Sequence, residues 1–384
     1  MSSLWITNVR IAAEAGLIKQ GAVQVVDGRI AAIREGAPPG GEQLDGAGQL
    51  LIPGMLDVHI HGAHGHDMMD GTATSIEVVS RACAESGCTA FLATSVSSTM
   101  PDLLGMVDRV REVQGHEPGA VIAGIHAEGP YLNVRRKGMQ NERFLRHPDL
   151  SEMRQVLDHA GPLLRMVTLA PELPGGLELT RFLVERGVIV AVAHSDATYE
   201  QALAAFEAGA SHLTHCFNGM RPIHHRDPGL IVAAFEQPQV SLQAIVDHVH
   251  LHPAIVRLMH RIKGPDGVVL ITDALQAMGL GDGQYTFGGH RVTVQDGVAR
   301  LSDGTLASST VTMNEALRNT VELGVPLMDA VRMAATTPAT LLDLPHKGRI
   351  AVGADADLVL LDPAFQVQWT MIGGRTVYSR SEAS

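Results

Sequence analysis

Eight short apolar runs recur along this chain with helical patterning between them, and that alternation constrains the fold more than any other feature of the sequence. The runs are "GMLDVHIHG" from Gly54, "TAFLATSV" from Thr89, "VIAGIHAEG" from Val121, "RMVTLAPE" from Arg165, "VIVAVAHSD" from Val188, "SHLTHCFN" from Ser211, "VSLQAIVDHVH" from Val240 and "GVVLITDA" from Gly267. Intervening segments such as "TYEQALAAFEAGA" and "HPAIVRLMHRIKG" place apolar residues at helical spacing. Strand and helix in alternation build parallel sheets, because parallel neighbours need long crossovers. Eight such units predict an α/β fold, a (β/α)8 TIM-like barrel, over residues 54–345.

The two ends have a different character. Residues 1–53 include "VQVVDGRIAAI", where Asp-Gly between two alternating runs is a hairpin signal. Residues 346–384 include "GRIAVGADADLVLLD" and "WTMIGGRTVYS", again β-like with a Gly-Gly turn. Chain ends commonly lie close together, so these two segments are expected to complete one small β-sandwich domain beside the barrel. Between barrel and tail, "STVTMNEALRNTVELG" and "PLMDAVRMAATTPATLLDL" read as helices.

Polar residues fall where a barrel would use them. His59 and His61 stand two apart at the end of the first run, so their rings share one strand face. Glu128 closes the third run, His194 the fifth, His250 the seventh and Asp273 the eighth, with His215 late in the sixth. The carboxyl ends of barrel strands form the rim on which active sites are built. His59, His61, His194 and His215 with Glu128 make a nitrogen and oxygen donor set suited to Zn²⁺ or Fe²⁺, one or two ions per chain, with Glu128 as the bridge. The set contains no cysteine, which points to a catalytic site over a closed structural one. Asp273 is the natural general base.

Composition narrows the function classes. Of 384 residues, 45% are hydrophobic and 18% charged, enough for a large core, and the net charge of −12 argues against nucleic-acid or anionic-membrane partners. Cys83, Cys88 and Cys216 are too few for a disulfide framework, and the first residues lack a secretion-signal pattern, so a cytoplasmic protein is expected. No run reaches the ~20 apolar residues that cross a bilayer.

Taken in order, "PGMLDVHIHG", "GIHAEGPYLN", "AVAHSDATYE", "THCFNGMRP", "DHVHLHP" and "LITDA" resemble the N-acetylglucosamine-6-phosphate deacetylase family of the amidohydrolase superfamily, over nearly the whole chain. The resemblance implies a metal-dependent barrel with a small β domain from both termini, and release of acetate from N-acetyl-D-glucosamine 6-phosphate. By position, Glu128, His194 and His215 match the family's main metal ligands and Asp273 its acid/base, while the His59–His61 pair makes a second metal plausible. Substrate contacts would map to Met139, Gln140, Asn218, Gly219, Arg226, Asp247 and His250, with Leu306, Ala307 and Ser308 as a loop over the sugar. The family also implies a homodimer in which Arg226 reaches the neighbouring site to hold the phosphate.

Two departures stand out. Gln140 replaces a histidine that contacts the sugar hydroxyls in many members, and Ser308 stands where glycine is common. Both put the sugar epimer in question and leave N-acetylgalactosamine 6-phosphate as an alternative. A different amidohydrolase acting on another amide is a further alternative; a lysine ending the fourth run would mark it, and that run ends "TLAPE". A non-catalytic scaffold should have lost ligands or Asp273, and none is missing.

Overall fold

The computed structural model describes residues 3–380; residues 1–2 and 381–384, the outer ends of the two terminal segments, lie outside the described residues. Eight parallel strands run in sequence order around one sheet: Met55–Ile60, Cys88–Ser95, Val121–Glu128, Leu164–Leu169, Ile189–Val192, His212–Leu213, Ser241–Ile245 and Val268–Ile271. Their residues are almost all buried, as expected of parallel strands covered on both faces. The last strand meets the first at the carboxyl rim, where the Asp273 N–H donates to the His59 carbonyl (2.8 Å) and the His61 N–H to the Ala274 carbonyl (2.9 Å).

Crossover helices pack outside, and polar side chains set where several begin. Thr72, Thr99, Asp149 and Thr198 each accept a hydrogen bond from a first-turn N–H of Ala73–Glu85, Met100–Val113, Leu150–Ala160 and Tyr199–Glu207 respectively, supplying acceptors that the helix itself lacks. Each apolar stripe then closes on the strands. Among the described residues no helix is long and apolar enough to cross a membrane.

The terminal segments pair into one eight-stranded sheet in the order 375–379, 367–372, 358–361, 50–53, 3–13, 16–26 and 29–35, with 42–45 beside 3–13. Asp27 and Gly28 form the foreseen hairpin turn between Gly16–Val26 and Arg29–Glu35. The antiparallel pair Leu50–Pro53 and Leu358–Leu361 joins the two ends and faces two cores at once. Leu51, Leu358 and Leu360 enter the core of the terminal sheet, and the alternate residues Ile52, Val359 and Leu361 enter that of the barrel. The two-residue period of a strand thereby couples the small sheet to the barrel.

One element is not anticipated by the eight-unit pattern. After the last barrel strand, Gly283–Phe287, His290–Gln295 and Val298–Arg300 form a three-stranded antiparallel sheet. Its buried residues Phe287, Val292, Val294 and Ala299 pack with Met139, Leu275 and Ala277 beside the rim.

Candidate metal centre and substrate pocket

Only Glu128 among the rim residues beyond the first strand lies inside its strand. His194 and Asp273 follow strands that end at Val192 and Ile271, and the sixth strand stops at Leu213, two residues before His215. The chain turns sharply there: φ is positive at His194 (46°), His215 (28°), Asp273 (48°) and Ser308 (68°). Left-handed backbone at such residues costs on the order of 1–3 kcal/mol each, so the surrounding structure must enforce it. At His194, main-chain bonds from Asn133 N to His194 O (2.8 Å) and from Ser195 N to Gly219 O (3.1 Å) do so. Gly219 is needed beside that ring, since a Cβ there would fall 2.7 Å from His194 Nδ1 and its own φ is +63°.

The four histidines are oriented alike. His61 Nδ1 lies 3.2 Å from the Thr94 carbonyl, His194 Nδ1 2.8 Å from that of Arg136, and His215 Nδ1 3.1 Å from that of Asn218. His59 Nδ1 lies 3.0 Å from the side-chain oxygen of Gln243. A carbonyl can only accept, so each Nδ1 carries a proton and each Nε2 is turned inward. His194 and His215 Nε2 stand 3.2 and 2.9 Å from Glu128 Oε1. His59 and His61 Nε2 stand 3.1 Å apart, at 3.5 and 3.2 Å from Asp273 Oδ1. Lone pairs facing one another at these distances repel unless positive charge lies between them.

The protonation pattern expresses the same demand. Burial pulls His59 down to about 4. Burial also pulls on His61, but the Asp273 hydrogen bond and the Glu128 charge outweigh it and carry that ring up to about 9. The pair therefore holds one proton between two nitrogens. Burial raises Asp273, yet the His59–His61 pair more than offsets this and holds the carboxyl at about 2. Burial likewise opposes the charge on Glu128, which its His194 and His215 partners keep well below the usual carboxylate range. Two triads, His59–His61–Glu128 and Glu128–His194–His215, each bring their donor atoms within 4.8 Å of one another, and Glu128 belongs to both. Four inward Nε2 atoms and the shared Glu128 carboxylate, all buried, fit divalent metal ions.

Above the cluster opens a cavity of about 210 Å³. Met139, Gln140, Asn218, Gly219, His250, Leu306 and Ser308 line it together with Glu128, His194, His215 and Asp273. Three sequence candidates sit elsewhere. Asp247 lies behind His250, accepting from its Nδ1 at 2.7 Å. Ala307 is buried in the apolar cluster of the three-stranded sheet. Arg226 projects from an exposed loop, with Nη1 2.7 Å from His225 Nε2, and does not line the cavity of its own chain. Gln140 lines the cavity but is tied down, donating to Glu128 Oε2 (2.6 Å) and accepting from the Ser97 N–H (2.9 Å). Sequence reasoning passed over Phe287, Thr305 and Gly138, which complete the wall, and Gln243 and His126 below it. A buried polar residue in an apolar run, as in "LQAIVD" and "GIHAEG", is the signal that could have found the last two.

Residues 50–377 match the amidohydrolase family. The chain belongs to the amidohydrolase family. Within that family it is 37% identical over 380 residues to the N-acetylglucosamine-6-phosphate deacetylase of Lysinibacillus sphaericus, covering 97% of each chain. It is 36% identical over 369 residues to an N-acetylgalactosamine-6-phosphate deacetylase of Escherichia coli O157:H7, covering 95% of this chain and 97% of that protein. A similar solved structure is a mutant N-acetyl-D-glucosamine-6-phosphate deacetylase from Mycobacterium smegmatis in complex with N-acetyl-D-glucosamine 6-phosphate. That amidohydrolase superposes with a TM-score of 0.90 at 38% identity, covering 98% of this chain and 99% of that one.

Proposed function

We propose that this amidohydrolase cleaves the acetamide of N-acetyl-D-glucosamine 6-phosphate to glucosamine 6-phosphate and acetate. The observation that carries the reading is the Glu128-centred cluster of four inward Nε2 atoms, with Asp273 Oδ1 3.2 Å from His61 Nε2, at the floor of a sugar-sized cavity. One ion, Zn²⁺ or Fe²⁺, would sit at Glu128, His194 and His215 and a second at His59, His61 and Glu128. Such ions polarise the amide carbonyl and acidify a bound water.

The remaining work falls to the chain itself. Asp273 Oδ1 already contacts His61 and the Ser308 hydroxyl (3.1 Å), which leaves Oδ2 to take the proton of the attacking water and return it to the leaving amine. Asn218, Gly219 and His250, with His250 steadied by Asp247, would receive the sugar phosphate. Since Arg226 lies outside its own cavity, it would serve as the phosphate clamp of the neighbouring copy in a homodimer, where its fork pairs with two phosphate oxygens. The three buried, unpaired cysteines suit a cytoplasmic enzyme.

Acetate release from phosphorylated and unphosphorylated N-acetylhexosamines, with bound metal measured alongside, tests this directly. Turnover confined to 6-phosphates is expected; equal turnover of unphosphorylated sugars would overturn it. N-acetylgalactosamine 6-phosphate is the second reading, favoured by the 36% identity over 369 residues to a deacetylase of that sugar, and it belongs in the same assay. Arg226→Ala should weaken use of the 6-phosphate by about 1.5–3 kcal/mol, the range for hydrogen bonds to charged groups. Mixing those chains with Asp273→Asn chains should raise activity above either parent, and no rise despite proven exchange would mean that Arg226 serves its own chain.

A further inference from the structure

Three of the four inward histidines are oriented by main-chain carbonyls, those of Thr94, Arg136 and Asn218, whose chemistry no substitution at those positions alters. His59 alone depends on a side chain. Gln243, fully buried on the seventh barrel strand, places its Oε1 3.0 Å from His59 Nδ1 and 3.1 Å from the main-chain N–H of His215. The His215 N–H can only donate, so the amide atom that faces it is the oxygen and not the nitrogen. With the oxygen fixed there, His59 Nδ1 must donate as well, and the His59 lone pair is forced onto Nε2. Both lone pairs of Oε1 are then used. The amide nitrogen points away toward Met166 Sδ at 3.9 Å, a weak acceptor that does not compete for the flip.

His59 belongs to one triad and His215 to the other. The main chain reinforces the tie, because the Cys216 N–H donates to the Gln243 carbonyl at 3.0 Å. A single buried oxygen therefore sets one ligand in each half of the cluster. We infer that Gln243 is the positioning residue that joins the two half-sites, and that it governs whether the His59–His61 half holds an ion. The half built on Glu128, His194 and His215 keeps His194 and its carbonyl-anchored ring when Gln243 is changed, and the Asn218 carbonyl still orients His215. In the other half His61 keeps the Thr94 carbonyl, but the His59 ring loses the one acceptor that orients its Nδ1. This inference rests on the reading of the cluster as a metal site.

The test uses the full-length protein loaded with Zn²⁺ or Co²⁺, with stoichiometry and dissociation constants read by competition against a chelator and, for Co²⁺, by the visible spectrum. Gln243→Met keeps the volume and removes the acceptor; it should leave the first ion bound as in the parent and weaken the second about 10- to 100-fold, the usual loss when a partner of a metal ligand is removed. Gln243→Glu keeps an acceptor and should hold the second ion at least as tightly as the parent. Two ions bound with unchanged constants in Gln243→Met would overturn the inference and leave the metal reading standing. Equal weakening in both variants would overturn it too, since a merely structural defect would ignore the acceptor. A parent protein that binds one ion only would refute the coupling, and one that binds none would refute the metal reading with it. Should Gln243→Met not fold, Gln243→Glu decides alone: weaker second-ion binding than the parent overturns the inference.

Discussion

The same left-handed backbone occurs in the terminal sheet and at the barrel rim, and it serves different ends. At the hairpin it falls on Asp27 (φ 47°) and Gly28 (φ 79°), in a two-residue turn that requires it and whose strands pair locally. At the rim it falls on His194, His215, Asp273 and Ser308, all buried, where no local pattern favours it. There the surrounding structure holds the conformation, and what it achieves is aim: all four residues line the cavity at the barrel mouth. The hairpin spends sequence on stability; the rim spends stability on geometry. Changes at the rim should therefore act on turnover and metal, and changes at the hairpin on folding alone.

The sharpest separation comes from Asp273→Asn. An amide cannot shuttle the proton, so turnover should fall about 10²- to 10⁴-fold while bound metal and melting temperature stay near the parent's. More than a tenth of parental kcat would place the base elsewhere. Removing metal with a chelator comes next. With the ions gone, the facing Nε2 atoms are left with the proton of His61 alone, and stability should drop by about 2.7 kcal/mol for each ion removed, relative to protein held at a hundredfold excess over that ion's Kd. A melting temperature that ignores chelation would contradict the argument from converging lone pairs.

On the other side of the comparison, Gly28→Ala puts a Cβ 2.8 Å from the Gly373 carbonyl oxygen at a φ of +79°. About 1–3 kcal/mol of stability should be lost in chemical denaturation, with kcat and metal content unchanged in the folded protein. A fall in kcat without a fall in stability would show that the terminal sheet reaches the site, erasing the contrast drawn above.

That contrast also explains what could be read from the sequence. The barrel was legible because apolar runs and helical spacing repeat eight times, and the His59–His61 pair and Glu128 because they stand inside or at the end of strands, where the two-residue period fixes their face. The Asp27–Gly28 turn was legible for the same local reason. The sheet over Gly283–Phe287, His290–Gln295 and Val298–Arg300 carries similar turn signals in Gly288–Gly289 and Asp296–Gly297, but its alternation gains meaning only once the rim lies beneath it. Gln243 was illegible as a partner because its role depends on strand six meeting strand one through a third strand. The resemblance places Ala307 and Asp247 at the sugar, and the structure adds that the Ala307 side chain joins an apolar cluster and that Asp247 accepts from His250 Nδ1.

The smallest effect probes the rim itself. Ser308 holds φ at 68° and gives its hydroxyl to the Asp273 main-chain carbonyl and to Oδ1. Glycine would adopt that backbone without strain, but it would lose the hydroxyl and would add chain entropy to the unfolded state, at about 0.5–1 kcal/mol. These contributions oppose one another, so Ser308→Gly should leave stability within about 1 kcal/mol of the parent. Its kinetic effect has no such offset: the one hydroxyl proton is shared between the Asp273 main-chain carbonyl and its carboxylate, and losing that shared bond removes about 0.5–1.5 kcal/mol, a two- to twelvefold fall in kcat. The wider cavity should also change the ratio of turnover between the two N-acetylhexosamine 6-phosphates. Should Ser308→Gly instead lose several kcal/mol of stability with kcat intact, then Ser308 belongs with the hairpin residues, as a support of the fold, and the rim owes less to its side chains than the geometry around Asp273 implies.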